Sequence, residues 1–264
     1  MNIDRWTSGQ HYDEWMGRWS RVVAREFLNW LSVPAGLRWI DVCCGSGMVT
    51  EAIVERNAPS IVVGIDASSA QISFAREHRA YPNVTFEVGD AMALPFADSS
   101  FDMAVCGLGL NFIPSPSHAL EEFCRVTRAG GTIAVYVWDY SGGAVFLRKF
   151  WDSAAAVDSK AATYDQATRF KICTQEGLRG LFEQAKLEGL TSHALDVTTR
   201  FTSFDDYWEP LLTGQGSAPG YLAARDQQTQ TAIRERLKTV LPANPQGAIE
   251  LPARAWGMRA QRKL

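Results

Sequence analysis

Three carboxylates stand where a nucleoside could be read. The run Ile40-Asp41-Val42-Cys43-Cys44-Gly45-Ser46-Gly47 places a glycine-rich turn directly after an apolar stretch. Glycines in such a turn let the backbone approach a ligand and leave amide N–H groups facing the crevice at the strand ends. Asp66 closes the next apolar run, in Gly64-Ile65-Asp66, and a carboxylate there can accept hydrogen bonds from both hydroxyls of a ribose. Asp90 closes the run after that, in Val88-Gly89-Asp90-Ala91. Its carboxylate can accept from an adenine amino group, with the Ala91 amide available to a ring nitrogen. Asp66 alone could be a helix cap and Asp90 alone a turn residue, but three acids in register describe a nucleoside site.

The same turn narrows the ligand. Thr50 stands where the Gly-x-Gly-x-x-Gly turn of dinucleotide enzymes has its third glycine, and no Gly-Lys-Ser/Thr sequence is present to hold a triphosphate. An acidic crevice suits a ligand with ribose, adenine and positive charge.

Positioning these groups requires a particular order of elements. Trp15, Trp19, Val22, Val23, Phe27 and Trp30 recur at helical spacing, which predicts a helix over about Asp13–Leu31, ended by Pro34 and Gly36. From there short apolar runs alternate with helical stretches. Strands are expected at Trp39–Cys44, Ile61–Ile65, Val84–Val88, Phe101–Cys106 and Thr132–Trp138, with helices at Met48–Asn57, Ser69–Arg79 and Ser117–Thr127. Ile61–Ile65 is apolar throughout, as a strand buried on both faces must be. The alternation predicts an α/β fold, a doubly wound and mostly parallel sheet with helices on both faces. After Trp138 the pattern loosens. Helices are expected over Phe146–Val157, from the N-cap Thr174 to about Lys186, over Ser203–Leu212 and over Leu222–Leu241. Two further strands, Leu190–Val197 and Ile249–Arg259, bring the sheet to seven.

Length and composition bound the function. The chain has 264 residues, 46% of them hydrophobic and 21% charged, as a folded globular protein requires. Twenty-six basic residues against 29 acidic ones leave a net charge of −3, which disfavours a nucleic-acid partner. No apolar run approaches the ~18 residues of a membrane span, and Met1-Asn2-Ile3-Asp4-Arg5 does not open a secretory signal. Five cysteines without a Cys-x-x-Cys pair, and four scattered histidines, point to reduced thiols in the cytoplasm and to no metal site. Nine tryptophans (Trp6, Trp15, Trp19, Trp30, Trp39, Trp138, Trp151, Trp208 and Trp256) are enough to serve both as core and as pocket wall.

The segment from about Tyr12 to Trp138 resembles the class I S-adenosylmethionine-dependent methyltransferases, nearest to the group with the ubiquinone and menaquinone biosynthesis C-methyltransferases. Asp41–Gly47 matches their first motif and Gly64-Ile65-Asp66 the second-strand acid. Gly89-Asp90-Ala91 with Leu94-Pro95-Phe96, Ser100-Phe101-Asp102, and Arg125-Val126 before Gly130-Gly131 match the later motifs. The resemblance implies a Rossmann-like seven-stranded sheet with a helical lid. It implies one methyltransferase domain over 1–264: an amino-terminal lid segment (1–36), a cofactor core (37–139) and the remaining strands with lid insertions (140–264). The implied cofactor is S-adenosyl-L-methionine, with S-adenosyl-L-homocysteine as product. Gly45 and Gly47 would pass the methionine part beside Cys106, Gly107 and Leu108, and Asp66 with Ala67 would hold the ribose. Asp90, Ala91 and Met92 would surround the adenine, and Tyr12 would close over the cofactor. Three positions depart from the pattern: Cys43 replaces the motif's first glycine, Gln71 replaces an apolar residue near adenine, and Ala129 replaces the proline before Gly130-Gly131.

Methyl transfer requires a nucleophile held ~3 Å from the methyl carbon and, for some acceptors, a base. His11, Tyr12, Asn111 and Asp139 are the candidates, beside Trp138 and Tyr140, and no motif assigns any of them. Cys106-Gly107-Leu108-Gly109 stands where enzymes that methylate amino groups of adenine or glutamine carry Asn/Asp-Pro-Pro-Tyr/Phe. The expected substrate is a small apolar or flat molecule, bound by a monomer or homodimer. Two other readings fit the crevice: a cofactor-binding protein without methyl transfer, and a nucleotide-dependent oxidoreductase, which Thr50 disfavours.

Overall fold

The computed structural model describes residues 4, 8–185 and 187–263. Trp6, Lys186 and most of the Met1–Arg5 segment named above lie outside the described residues.

The first helix forms in two parts. A short α1 (Gly9–Tyr12), capped by Ser8, runs through a π-helical turn at Asp13–Gly17 into α2 (Arg18–Leu31). Hydrophobic spacing predicts one regular helix here. The π turn inserts a residue without breaking the buried stripe of Trp15, Trp19, Val23 and Phe27, so the periodicity hides it. The α/β alternation follows as β1 (Arg38–Val42), α3 (Met48–Asn57), β2 (Ile61–Asp66), α4 (Ser69–His78), β3 (Val84–Val88), β4 (Phe101–Gly107), α5 (Pro116–Val126) and β5 (Thr127–Trp138). Next come α6 (Val145–Val157), α7 (Gln166–Arg169), α8 (Gln175–Gln184), β6 (Glu188–Phe201), α9 (Phe204–Trp208), α10 (Ser217–Ala223), α11 (Gln227–Val240) and β7 (Ile249–Gln261).

All seven strands join one sheet in the order β3-β2-β1-β4-β5-β7-β6. The first five are parallel, and β7 lies antiparallel between β5 and β6. The order reverses beside β1, so β1 and β4 leave a crevice at their carboxyl ends, the place where open α/β sheets bind ligands. Aromatic side chains fill the space between sheet and helices: Trp39, Trp138, Phe123 and Phe146 are all fully buried.

Three local expectations are corrected. The helix expected over Leu222–Leu241 is two helices, because Asp226 caps a new one by accepting from the Thr229 amide at 2.7 Å. The strand expected from Thr132 begins at Thr127, and its pairing with β4 jumps from Phe101↔Thr127 to Met103↔Thr132. The Gly130-Gly131 turn signal marks that irregularity, with Gly130 at φ 69. Asp90 lies two residues beyond the end of β3, in an isolated bridge with Ala93.

Candidate active site

At the carboxyl edge of the sheet the chain encloses a cavity of about 300 Å³. One half is lined by Cys43, Gly45, Asp66, Gln71, Asp90 and Ala91, the other by Trp15, Met16, Phe112, Trp138, Tyr140 and Leu147. Tyr12, Ala67, Gly107 and Leu108 also line it.

The acidic half is built by the turns after β1, β2 and β3. Gly45 and Gly47 take φ values of +53 and +87, which side chains rarely adopt. The turn is fastened by Cys44 N–H donating to Ile65 O at 3.1 Å and by Gly47 N–H donating to Cys44 O at 2.8 Å. A Cβ on Gly45 would meet only Gln71 Oε1, at 4.0 Å, so this stretch of backbone lies open to a ligand. Asp66 accepts from the Gly45 amide at 2.9 Å and from the Ser68 amide at 2.8 Å, one bond on each oxygen. Burial pushes its carboxyl above the ordinary value while those two amides oppose the shift. A carboxylate oxygen has two lone pairs, so each can take one further donor. Asp90 Oδ1 accepts from Met92 N–H at 2.8 Å, which leaves Oδ2 open to a ligand.

Gln71 fits the polar character of this half. Its side chain is only 3% exposed, and Oε1 has no hydrogen-bond partner among the described residues. A buried acceptor without a donor is costly unless a ligand supplies one. Adenosyl hydroxyl and amino groups are such donors. The orphaned Gln71 oxygen, the spare acceptors on Asp66 and Asp90 and the open Gly45 backbone fit S-adenosylmethionine.

Two residues with side chains hold left-handed backbone on the cavity wall, Cys43 at φ 58 and Leu108 at φ 60. Strain of this kind collects at functional sites. The Cys43 thiol is paired with Cys106, and that contact, followed by burial, pushes it well above the usual thiol range. Cys106 itself is fully buried behind the wall.

Other sequence-derived candidates stand off the cavity. Asp41 is fully buried under the turn, Gly47 turns toward Arg79 and Phe86, and Met92 is packed beside the core. Among the groups considered for acid–base work, Tyr12 and Tyr140 reach the wall, but His11, Asn111 and Asp139 do not line it. Tyr12 shares a hydrogen bond with Ser20 Oγ at 3.1 Å, and burial raises its phenol. Asp139 Oδ1 is occupied by the Ser141 amide at 3.1 Å and by the Ser141 hydroxyl at 2.5 Å, so it caps its own turn.

The segment Gln215–Pro219 lines the aromatic half, although no motif in the sequence marks it. Its only signal is the pair Gly214 and Gly216. Gly216 adopts φ 96, ψ −179, a region reserved for glycine.

Among the described residues no group of three or more His, Cys, Asp or Glu is placed to hold a metal, and no helix is long and apolar enough to cross a membrane.

Fold and cleft together define the class of Rossmann-like, S-adenosylmethionine-dependent methyltransferases. Residues 40–135 match the profile of the methyltransferase domain. A demethylmenaquinone methyltransferase of Staphylococcus aureus is 31% identical over 177 residues, covering 62% of this chain and 73% of the relative. A methyltransferase structure from Bacillus halodurans superposes with a TM-score of 0.60 at 16% identity, covering 91% of this chain and 99% of the other. The Haemonchus contortus phosphoethanolamine N-methyltransferase 2, solved with S-adenosylhomocysteine, superposes at 0.56 with 15% identity, over 90% of this chain and 51% of its own. The chain belongs to the methyltransferase family that this domain defines, and it is an enzyme using S-adenosylmethionine.

Proposed function

We propose that the protein transfers the sulfonium methyl group to a small, uncharged, apolar acceptor with a flat ring. One observation carries this reading: a single cavity joins the acid-lined nucleoside half to a half walled by Trp15, Met16, Phe112, Trp138, Tyr140 and Leu147. Large aromatic walls with few polar groups favour a flat apolar ligand over a charged one. The Staphylococcus relative is named for demethylmenaquinone, an acceptor of this general shape, which supports the same reading.

In this reading Asp66 and Ala67 hold the ribose, while Asp90 and Ala91 face the adenine and the Met92 amide steadies the Asp90 carboxylate from behind. Gly45, Gly107 and Leu108 pass the methionine part beside Cys43, with Gly47, Asp41 and Cys106 supporting the wall from behind. When bound, S-adenosylmethionine supplies a methyl group on a positively charged sulfur. The protein's own part is to orient the acceptor in line with that bond and to exclude water, which Tyr12 and the aromatic wall do. Tyr140 stands on the acceptor side, where its hydroxyl can donate to an acceptor oxygen. The site draws on Tyr12, on the sheet edge and on Gln215–Pro219, so the chain acts as one catalytic domain. Its five free thiols suit a reducing compartment such as the cytoplasm.

The test is a methyl-transfer assay with radiolabelled S-adenosylmethionine against two acceptor panels, apolar hydroquinones and naphthols in one and phosphorylated amines in the other. Label moving to the first panel supports the reading, and transfer only to the second overturns it. The cofactor half is tested separately by calorimetry. Asp66→Ala should weaken S-adenosylhomocysteine binding at least tenfold, and undiminished binding would remove the site from this cavity.

A further inference from the structure

Arg79 belongs to no motif, yet it joins the amino-terminal helix to the glycine turn that borders the nucleoside half of the cavity. It follows α4 and is only 4% exposed. Its Nη2 lies 3.2 Å from Asp13 Oδ1, in the π turn next to Tyr12. Its Nε lies 3.5 Å from Glu51 Oε2, on the first turn of α3 after the glycine turn. Its Cδ sits 2.8 Å from where a Cβ on Gly47 would stand, so that glycine leaves room for the arginine as well as adopting a left-handed backbone. Arg21 completes a four-member network, 2.8 Å from Asp13 and 3.7 Å from Glu51.

The π turn has a visible use here. A Cβ on Gly17 would meet Asp13 Oδ1 at 2.7 Å, so the Asp13 carboxylate turns back over Gly17 and reaches both arginines. A second contact joins the same elements: a Cβ on Gly9 would stand 2.5 Å from Phe74 Cβ, which brings α1 against α4. Tyr12, which lines the cavity, lies between these two attachments.

We propose that Arg79 is a positioning residue that couples docking of the amino-terminal helix, and with it Tyr12, to the shape of the Gly45–Gly47 turn. Cofactor binding and helix docking then favour one another, because both need the same guanidinium in place. The charge is desolvated on the arginine side, so removing Asp13 leaves a buried guanidinium with the more distant Glu51 alone. Removing Arg79 leaves Asp13 and Glu51 joined only through the more exposed Arg21, and either change loosens both attachments. Arg79 acts on the cofactor through the turn and the helix and does not itself touch a reacting atom. The inference rests on the cofactor site assigned above, and the two are separable in one experiment.

The experiment is calorimetric titration of S-adenosylhomocysteine into the parent, Asp13→Asn, Arg79→Met, the double variant, Asp66→Ala and Ile233→Ala. Ile233 is fully buried in α11, off the cavity wall, and serves as a stability control. Each single change in the pair should weaken binding about tenfold. The double variant should be no weaker than the worse single, because the two residues act as a unit. The Michaelis constant for S-adenosylmethionine should rise with little change in kcat, the mark of lost uniform binding. The intrinsic tryptophan fluorescence should need proportionally more ligand to reach its bound value. Ile233→Ala should lower the melting temperature without moving affinity. Affinity unchanged in Asp13→Asn and Arg79→Met, or additive losses in the double variant, overturns the coupling while weak binding by Asp66→Ala leaves the cofactor site standing. Should Arg79→Met not fold, Asp13→Asn with Arg79→Lys decides the matter by the same readings.

Discussion

Thr50 Oγ1 donates to Asp41 Oδ2 at 2.7 Å, and neither side chain is exposed. The threonine that departs from the dinucleotide turn therefore has a role of its own, pinning α3 to β1 through a buried carboxyl. Burial pushes that carboxyl up from 3.8 to about 7, with Thr50 opposing the shift. The folded protein then holds a proton that the unfolded chain has released between about pH 4 and 7, so this group makes stability fall as pH rises through that window. Asp41→Asn cannot ionise. Its melting temperature relative to the parent should therefore improve from pH 5 to pH 8, by an amount equivalent to on the order of 1–4 kcal/mol. Thermal melts across that range check it, and a pH-independent difference would refute it.

Gly109 faces Cys43 so closely that an added Cβ would lie 2.4 Å from the Cys43 Cβ. Gly109→Ala should cost about 1–3 kcal/mol through overpacking. In a Cys43→Gly background the obstruction is gone, and most of that loss should be recovered. Denaturant melts of the four proteins close the cycle. Equal losses in both backgrounds would show that the crowding lies elsewhere.

Gln71→Leu restores an apolar side chain of similar length. With its buried Oε1 removed, the apo protein should keep or gain stability, while S-adenosylhomocysteine binding weakens about tenfold, equivalent to ~1.4 kcal/mol. Calorimetry beside a thermal melt separates the two effects. A melt that falls while affinity holds would give Gln71 a packing role only.

Tyr207 is fully buried and donates to Phe146 O at 2.8 Å, with its ring 6.1 Å from Trp15 and 5.1 Å from Phe201. Tyr207→Phe should lower stability by about 1 kcal/mol and leave the Michaelis constant for S-adenosylmethionine unchanged. A shifted Michaelis constant would place this aromatic cluster in the site and not merely around it.

Much of the sheet edge was legible from residue order. The bounds of α3 and β3 coincide with the sequence reading because Gly47 and the flanking polar residues punctuate the chain there. Thr174 caps α8 by accepting from the Gly177 amide, as its position before a helical stretch suggests. Asp66, Gln71, Asp90 and Ala91 meet at one cavity because strand ends in a doubly wound sheet converge. What escaped reading depends on contacts distant in sequence. The Arg79 network spans residues 13 to 79, and its members look like ordinary surface charges in a linear string. The π turn leaves the apolar stripe intact, and Gln215–Pro219 reaches the cavity by tertiary packing without a motif of its own. β6 runs on past Val197 to Phe201 because β7 pairs with it down to Phe201↔Ile249, through polar residues that carry little strand signal alone.

The placement of β7 also orders events during synthesis. It pairs with β5 along Thr132–Trp138 and with β6 from Glu188 to Phe201, so the flank of the sheet is welded by a strand made after both of those it joins. Until Ile249–Gln261 leaves the ribosome, β5 and β6 present edges that no earlier strand among the described residues pairs, a state open to mispairing with other nascent chains. A growing polypeptide can thus shape its nucleotide crevice early and still be only half knit.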